Sequence, residues 1–213
     1  MNRIIIFANG ELADLNKARA ILQEDDYIIC ADGGTRHALA LDLKPDLIIG
    51  DMDSVEKADL KKLRGEGVSI ELYPQDKNET DLELAINRAI ELESKSIIIV
   101  AAVGGRIDQT LGNIALLSDA RLSTFEIRLN DGVEEIFFCR DKVEVHGGSG
   151  DIVSLIPWGE PVHHIQTRGL KWALNDETLH SNETRGISNE MLPDVASIKI
   201  GSGLLLVTHK HNS

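Results

Sequence analysis

Short, continuous apolar runs that alternate with helix-like stretches constrain the fold of this chain more than any other feature. The runs predict strands at Arg3–Ala8, Tyr27–Ala31, Leu47–Gly50, Val68–Tyr73 and Ser96–Val103. The stretches between and after them predict helices near Leu12–Leu22, Thr35–Leu41, Val55–Arg64, Thr80–Leu92 and Asp108–Ala120. Strands that are apolar throughout are typical of a parallel sheet covered by helices on both faces. The first half therefore predicts an α/β domain.

The pattern changes from about Asn130 onward. Strand-like segments separated by Gly, Pro or Asn turns follow at Glu134–Arg140, Lys142–His146, Asp151–Trp158, Val162–Thr167, Ala196–Gly201 and Leu204–Lys210. Because no long helical pattern interrupts them, we predict a second, all-β domain, a sandwich. With the boundary in 122–131, the predicted domains are 1–125 and 130–213.

The charge of the chain excludes some partners. Its 35 acidic residues against 22 basic ones give a net charge of -13, which argues against binding to nucleic acids or anionic membranes. The apolar run after Met1 is too short for a signal peptide, and we predict no membrane span. Cys30 and Cys139 lie in apolar runs, as expected of buried thiols in a reducing cytosol, so we expect a cytoplasmic protein.

Clusters of glycine and carboxylate residues follow several of the predicted strands. They are Asp32-Gly33-Gly34, Gly50-Asp51-Met52-Asp53-Ser54, Asp76-Lys77-Asn78-Glu79-Thr80-Asp81 and Gly104-Gly105-Arg106-Ile107-Asp108. Loops at the carboxyl ends of parallel strands converge on one crevice, where ligands bind. Carboxylates gathered there repel one another unless a hard cation lies among them, and Mg²⁺ shares its coordination sphere with phosphate oxygens. The clusters predict a magnesium–polyphosphate site.

Two of these clusters place carboxylates in defined positions. Asp51 and Asp53, two residues apart on an extended loop, can reach one metal ion. Thr80-Asp81-Leu82-Glu83 matches a capping box, so Asp81 should lie in the first turn of a helix and point toward the preceding loop. We also predict that Asp108 caps the following helix.

Glycines and cations in the same loops suit a phosphate ligand. Gly33-Gly34 and Gly104-Gly105 permit close approach to backbone N–H groups, although each pair is equally well explained as a structural turn. Arg106 offers a planar fork for phosphate oxygens. Lys77 either contacts phosphate or balances Asp76 and Glu79.

A second set of polar residues interrupts the β pattern. Trp172 lies in a loop-like stretch of a chain with only 4% aromatic residues, which favours a flat stacking surface for a ring over a core position. Ser188 and Asn189 either form a turn or donate hydrogen bonds to a heteroaromatic ligand.

These residues together resemble the thiamin pyrophosphokinase family over nearly the whole chain. The matching segments are Ala31–Gly34, Gly50–Ser54, Asp76 with Thr80-Asp81, Gly104–Gln109, Gly169–Trp172 and Ser188-Asn189. The resemblance implies a Rossmann-like α/β domain, a carboxyl-terminal β-sandwich and a homodimer with active sites between subunits. It also implies the Mg²⁺-dependent conversion of thiamin and ATP to thiamin diphosphate and AMP.

The resemblance further implies roles for individual residues. It assigns the metal to Asp51, Asp53 and Asp81, and thiamin to Trp172, Ser188 and Asn189. It assigns the nucleotide to a larger set: Asp32, Gly33, Gly34, Asp76, Lys77, Asn78, Thr80, Gly104, Gly105, Arg106 and Asp108. Asn78 departs from the Asp that many relatives carry, and we expect it to alter metal or nucleotide preference without abolishing activity.

Three alternatives remain open from the sequence. One is a pyrophosphokinase for another hydroxymethyl heterocycle, such as a pterin, and another is a nucleotide-sugar transferase using Asp51-Met52-Asp53. Trp172 and the Ser188-Asn189 pair argue against both, since neither needs that stacking element. A catalytically silent nucleotide sensor would more naturally lack one of the metal carboxylates, all of which are present.

Overall fold

The computed structural model describes residues 3–212. By its internal contacts the chain divides into two compact units, Met1–Gly132 and Val133–Ser213. Each unit is described separately.

Unit 1 contains a parallel sheet. Its strands are β1 (Arg3–Phe7), β2 (Tyr27–Ala31), β3 (Leu47–Gly50), β4 (Ser69–Leu72), β5 (Ser96–Val100) and β6 (Glu126–Asn130). They are ordered β6-β5-β1-β2-β3-β4, and every neighbouring pair is parallel. The five predicted strands are confirmed to within a few residues at their ends. The sixth, β6, lies in the segment predicted to be the domain boundary and extends this unit past residue 125.

Helices connect these strands. They are α1 (Leu15–Ala20), α2 (Thr35–Ala40), α3 (Lys57–Gly65), α4 (Asp81–Glu91) and α5 (Ile107–Leu116), with 3₁₀ turns at Asp32–Gly34 and Ala120–Leu122. All five predicted helices are present and shorter than predicted, because capping and turn residues occupy their ends. Asp14, for example, accepts hydrogen bonds from the N–H groups of Asn16 and Lys17, so α1 begins at Leu15 and not at Leu12.

Both faces of the central strands β1, β2, β3 and β5 are buried, as their uniformly apolar sequences predict, whereas the edge strands β4 and β6 are partly exposed. Ile5, Phe7 and Cys30 pack with Ala38 of α2 and Leu63 of α3 in one cluster. The alternate positions of the strands are also inaccessible to solvent, and α4 packs against β1, β2 and β3. This double coverage explains why strand alternation is missing from the sequence.

Unit 2 is rich in strands. They are β7 (Glu134–Cys139), β8 (Lys142–His146), β9 (Ile152–Pro157), β10 (Val162–Arg168), β11 (Asn175–Leu179), β12 (Asn189–Glu190), β13 (Val195–Lys199) and β14 (Leu205–Lys210). They pair antiparallel in the orders β12-β9-β14-β7 and β11-β10-β13-β8. Side chains from both sets share one hydrophobic cluster that includes Leu155, Val207, Ile165 and Ile198.

Two strands of unit 2 were not predicted. β11 is polar in sequence and mostly exposed, and β12 has only two residues, so neither carries an apolar pattern. Strand β10 also carries the adjacent pair His163-His164. Both rings are exposed because the register of β10 shifts here and His164 has φ 56°. Among residues 3–212, no helix is both long and apolar enough to cross a bilayer.

Candidate active site

A cavity of about 430 Å³ opens at the carboxyl ends of β1, β2 and β5 in unit 1. The chain leaves β1 toward β2 on one side, whereas β5 flanks β1 on the other, so the cavity lies where the strand order reverses. Such a switch point is the usual ligand site of an open α/β sheet. The residues lining it include Asn9, Asp32, Thr80, Asp81, Gly104, Asp108, Gln109 and Asn113.

Three aspartates from two of the predicted clusters meet beside this cavity. Carboxylate oxygens of Asp32, Asp51 and Asp53 all lie within 4.8 Å of one another. Asp32 is buried at 4% exposure, it has φ 41°, and its Oδ1 has no hydrogen-bond partner. A buried oxygen without a donor is costly, and a non-glycine residue in the left-handed region is often found at functional sites. The three residues therefore offer hard oxygen donors to a cation.

The fit to magnesium can be tested on these distances. Ligand oxygens around Mg²⁺, at 2.0–2.1 Å from the ion, lie roughly 3–4 Å apart. Small side-chain rotations would bring oxygens at most 4.8 Å apart to that spacing. The set fits the ion, although it includes Asp32, which the sequence assigned to the nucleotide.

Local hydrogen bonds hold the Asp51–Asp53 loop in shape. Asp51 Oδ1 accepts from the Asp53 N–H at 3.1 Å, and Met52 between them has φ 62°. Asp53 accepts from the Ser54 hydroxyl at 2.8 Å and from Gln75 Nε2 at 3.1 Å. These bonds turn both carboxylates toward the same region, as predicted.

Asp81 begins α4, and the predicted cap is confirmed. The Thr80 hydroxyl oxygen accepts from the Glu83 N–H at 3.2 Å. Asp81 does not belong to the three-aspartate cluster but lies next to it, since a Cβ on Gly50 would be 3.0 Å from both Asp81 Oδ1 and the Asp32 Cβ.

Lys77 is the partner of Asp81. Its Nζ lies 2.9 Å from Asp81 Oδ1, and its side chain is only 12% exposed. Desolvation alone would lower the pKa of Lys77, but the bond to Asp81 and the charges of Asp81, Asp51 and Asp32 raise it. Desolvation raises the pKa of Asp81, and Lys77 opposes that rise. Lys77 thus neutralises the site carboxylates, not Asp76 and Glu79.

The two predicted glycine turns require glycine for different reasons. Gly33 and Gly34 are buried, and a Cβ on Gly34 would lie 2.0 Å from the Phe7 carbonyl oxygen, so close packing against β1 requires them. Gly104 and Gly105 are exposed, with φ of 85° and 67°, and Gly104 lines the cavity. In the second pair the positive φ angles require glycine, and Gly104 lies at the cavity.

Arg106 and Asp108 contact each other. Arg106 donates to both Asp108 oxygens, at 3.1 and 2.5 Å, and both side chains are exposed. The hydrogen bond from Arg106 lowers the pKa of Asp108. The prediction that Asp108 caps α5 is wrong, because the helix begins at Ile107 with Arg106 in the cap position. Asp76 and Asn78 lie exposed in the loop before α4.

The predicted ring-binding residues of unit 2 lie together. Trp172 is 58% exposed, and Lys171 Nζ lies 5.1 Å from its ring centroid. Asn189 is buried, accepts from the Trp172 N–H at 3.1 Å and donates to the Trp172 carbonyl at 2.8 Å. Ser188 has φ 58°, and its N–H donates to the Ser154 hydroxyl at 3.0 Å. Asn189 thereby fixes the loop that presents the Trp172 ring.

Sequence reasoning missed two side chains that line the cavity. Asn9 follows β1, and Asn113 on α5 donates to the Ala102 carbonyl at 2.7 Å. The Asn9-Gly10 pair directly after an apolar strand carried a detectable signal, whereas nothing in the sequence marked Asn113.

A second group of titratable residues lies in unit 2. Asp151 accepts from His209 Nε2 at 3.0 Å, and its carboxylate lies 3.4 Å from His211 Nδ1. Desolvation would raise the pKa of Asp151, but hydrogen bonds from Asn212, His209 and Gly148 outweigh it and lower that pKa to about 2.

The ligand atoms of Asp151, His209 and His211 lie within 4.8 Å of one another, but in the structure the Asp151 carboxylate bonds to His209 and to the N–H groups of Gly148 and Asn212. The group is a structural network that holds the end of β14.

Known proteins resemble the chain in both units. The family models described as "Thiamin pyrophosphokinase, catalytic domain" and "Thiamin pyrophosphokinase, vitamin B1 binding domain" match residues 18–129 and 141–205. The thiamine pyrophosphokinase of Bacillus subtilis is 28% identical over 209 residues, covering 97% of this chain and 98% of the relative. Thiamine pyrophosphokinase 2 of Arabidopsis thaliana is 27% identical over 201 residues, covering 83% of this chain and 75% of the relative.

Solved structures give the same result. The crystal structure of the Bacillus subtilis enzyme superposes with a TM-score of 0.89 at 26% identity and covers 100% of both chains. That of the thiamin pyrophosphokinase from Geobacillus thermodenitrificans has a TM-score of 0.86 at 26% identity and covers 100% of this chain and 99% of the other. The parallel sheet with its helices and the β-rich second unit therefore form the fold of these structures.

Proposed function

The chain belongs to the thiamin pyrophosphokinase family, and from that premise we propose that it transfers the pyrophosphoryl group of ATP to the hydroxyl of thiamin in a Mg²⁺-dependent reaction. The observation that carries the proposal is the cluster of Asp32, Asp51 and Asp53 beside a cavity large enough for a nucleotide. An α/β unit of Rossmann-like character, with its ligand at the switch between β1 and β5, accords with this chemistry.

The reaction is a displacement at phosphorus. The thiamin hydroxyl oxygen bonds to the β-phosphorus of ATP, the bond from that phosphorus to the oxygen bridging the α-phosphate breaks, and AMP leaves while the hydroxyl proton passes to a base or to solvent. Catalysis of this kind depends on positioning and charge neutralisation. Magnesium, when bound, would polarise phosphate oxygens and neutralise their charge.

The residues of unit 1 divide this work. Asp32, Asp51 and Asp53 would hold the cation, with Asp81 joining them once it is released from Lys77. Thr80 and Gly104, which line the cavity, and the adjacent Gly105 would face the phosphates. Arg106 would leave Asp108 to bind phosphate oxygens. We further propose that the nucleotide site is bordered by the Gly33-Gly34 turn and by Asp76 and Asn78, which lie in the loop before α4.

Two carboxylates that line the cavity, Asp81 and Asp108, are candidate bases for the hydroxyl proton. Asp108 is exposed, and its hydrogen bond from Arg106 lowers its pKa while that bond lasts, so in the free protein it is the weaker proton acceptor. Asp81 remains as the other candidate.

Thiamin binding is proposed for unit 2. The residues that line the cavity include no aromatic ring in the part of the chain that the structure describes, whereas Trp172 presents an exposed ring with its loop fixed by Asn189. We propose that thiamin stacks on Trp172, beside Ser188 and Asn189, in a homodimer whose sites combine unit 1 of one subunit with unit 2 of the other. We also propose a cytoplasmic location, which suits two free, buried cysteines.

The reaction is tested by incubating the protein with thiamin, ATP and Mg²⁺ and analysing the products by mass spectrometry. Thiamin diphosphate with AMP supports the proposal, whereas thiamin monophosphate with ADP would refute pyrophosphoryl transfer. A pterin alcohol offered in parallel distinguishes the nearest alternative substrate. Asp51→Ala should abolish turnover, and near-normal turnover by that variant would refute the metal assignment.

Mixing two inactive variants tests the shared sites. A heterodimer of Asp51→Ala with Trp172→Ala has one site with both units intact only if the site combines two subunits. Random mixing then restores up to about a quarter of the activity of the unmodified dimer. No restoration, with subunit exchange demonstrated by differential labelling, would refute the shared site.

A further inference from the structure

Lys77 occupies an unusual position for a lysine in a candidate metal site. Its ammonium group lies 2.9 Å from Asp81 Oδ1 and interacts electrostatically with Asp51 and Asp32. The side chain is only 12% exposed, and its ammonium group lies among these carboxylates. In the structure, the positive charge among the aspartates is therefore supplied by the protein itself.

A cation and Lys77 compete for the same carboxylates. A divalent ion held by Asp32, Asp51 and Asp53 would repel the ammonium, because Asp81 lies close to Asp32: Asp81 Oδ1 and Asp32 Cβ are each 3.0 Å from the position of a Cβ built on Gly50. Lys77 also occupies the oxygen with which Asp81 would join the metal. The site cannot bind the ion at full strength while Lys77 keeps its present partner.

Polyphosphate offers Lys77 another partner. Asp81 lines the cavity, so an ammonium group bonded to it needs only side-chain rotation to face the cavity. A lysine is a point charge on a flexible stem, and phosphate oxygens are suitable acceptors for it.

We propose that Lys77 is an exchangeable counterion: it neutralises Asp81 and its neighbours in the free enzyme, and it transfers to the phosphates when a nucleotide binds, which releases the carboxylates to the divalent cation. The inference rests on the proposed function, since it requires that the cavity bind a metal and a polyphosphate. It assigns to Lys77 the coupling between the two ligands. Lys77 is a positioning residue in this scheme, because it controls the availability of Asp81.

The inference predicts effects of opposite sign on the two ligands. Lys77→Met keeps most of the apolar stem and removes the charge. Binding of Mn²⁺ alone, followed by electron paramagnetic resonance as a probe of the oxygen site, should tighten by several-fold to about tenfold because the competing cation is gone. Binding of ATP in the presence of a chelator, followed by calorimetry, should weaken by several-fold because a phosphate ligand is gone.

Control variants separate this role from a structural one. Lys77→Arg retains the charge, so its affinities for Mn²⁺ and for ATP should stay close to those of the unmodified protein. Lys61→Met, which replaces an exposed lysine on α3, should change neither affinity. Damage to the local structure would weaken both ligands together. The inference is overturned if Lys77→Met binds Mn²⁺ no more tightly than the unmodified protein does. It is also overturned if this variant binds ATP no more weakly.

The same measurements separate failure of this inference from failure of the proposed function. If Mn²⁺ binding by the unmodified protein is lost in Asp51→Ala but is insensitive to Lys77→Met, only the role of Lys77 is wrong. If Asp51→Ala binds Mn²⁺ as the unmodified protein does, the metal site is misplaced and both proposals fail.

Discussion

Replacing Asp32 by Asn should stabilise the protein in the absence of metal. The variant removes one charge from a cluster whose oxygens lie within 4.8 Å of one another. At the 4.8 Å limit, each repelling pair costs about 0.9 kcal/mol in water and about 3.5 kcal/mol at an effective dielectric of 20. Asp32 belongs to two such pairs, but Asp53 is exposed and Lys77 offsets part of the repulsion. We therefore expect a gain of about 1 kcal/mol, or roughly 2–4 °C in Tm for a chain of this size.

Thermal unfolding with and without Mg²⁺ tests this prediction. Saturating ligand stabilises a native protein by about 2.7 kcal/mol at one hundred times its Kd, so the unmodified protein should gain stability when Mg²⁺ is added. Asp32→Asn should have a higher Tm than the unmodified protein in chelator, and its Tm should rise far less when Mg²⁺ is added. Asp25→Asn, an exposed aspartate outside the cluster, serves as the matched control and should follow the unmodified protein. A variant that is less stable in chelator and keeps the full Mg²⁺-dependent gain would refute the reasoning.

Three further predictions concern the scaffold of the two units. Gly34→Ala would bring a Cβ to 2.0 Å from the Phe7 carbonyl oxygen, so the free energy of unfolding measured in urea should fall by about 3 kcal/mol or more. Gly65→Ala, whose Cβ would have nothing within 4 Å, should stabilise the protein slightly. Equal effects of the two substitutions would contradict the packing argument. Thr80→Ala removes the cap of α4 and should cost ~1 kcal/mol, while Thr80→Ser should cost little; a neutral alanine variant would show that the cap is unimportant. The folded-state pKa of Asp151, about 2, lies below its unfolded value of ~3.9, so this group stabilises the fold by about 2–3 kcal/mol above that value, and the stabilisation is lost as the pH falls toward 2. Asp151→Asn should flatten the acid limb of the stability profile, and an unchanged profile would contradict this assignment.

The secondary structure of unit 1 was predictable because local signals agree with the tertiary environment. Continuous apolar runs such as Tyr27–Ala31 are strands buried on both faces, and their observed bounds match the prediction. Thr80 caps its helix through a bond that depends only on residues within one turn. Where the signal was weak, as in polar β11 and two-residue β12, the strands form through pairing with neighbours that the sequence does not reveal.

The composition of the site was only partly predictable. Convergence of loops at strand ends predicted that Asp51 and Asp53 lie near Asp32, and they do. Lys77 pairs with Asp81, only four residues later, but it lies in the loop before α4, where spacing alone does not decide which neighbouring carboxylate it meets. The sequence therefore suggested Asp76 or Glu79 instead of Asp81. The need for glycine at Gly34 likewise comes from contact with β1, a neighbour that is distant in sequence.

The most direct test of the account is the anomalous signal of Mn²⁺ in crystals grown with a non-cleavable ATP analogue. The account predicts a single strong peak among the carboxylates of Asp32, Asp51 and Asp53, with phosphate oxygens completing the coordination. A well-occupied nucleotide whose Mn²⁺ contacts none of these three residues would contradict it.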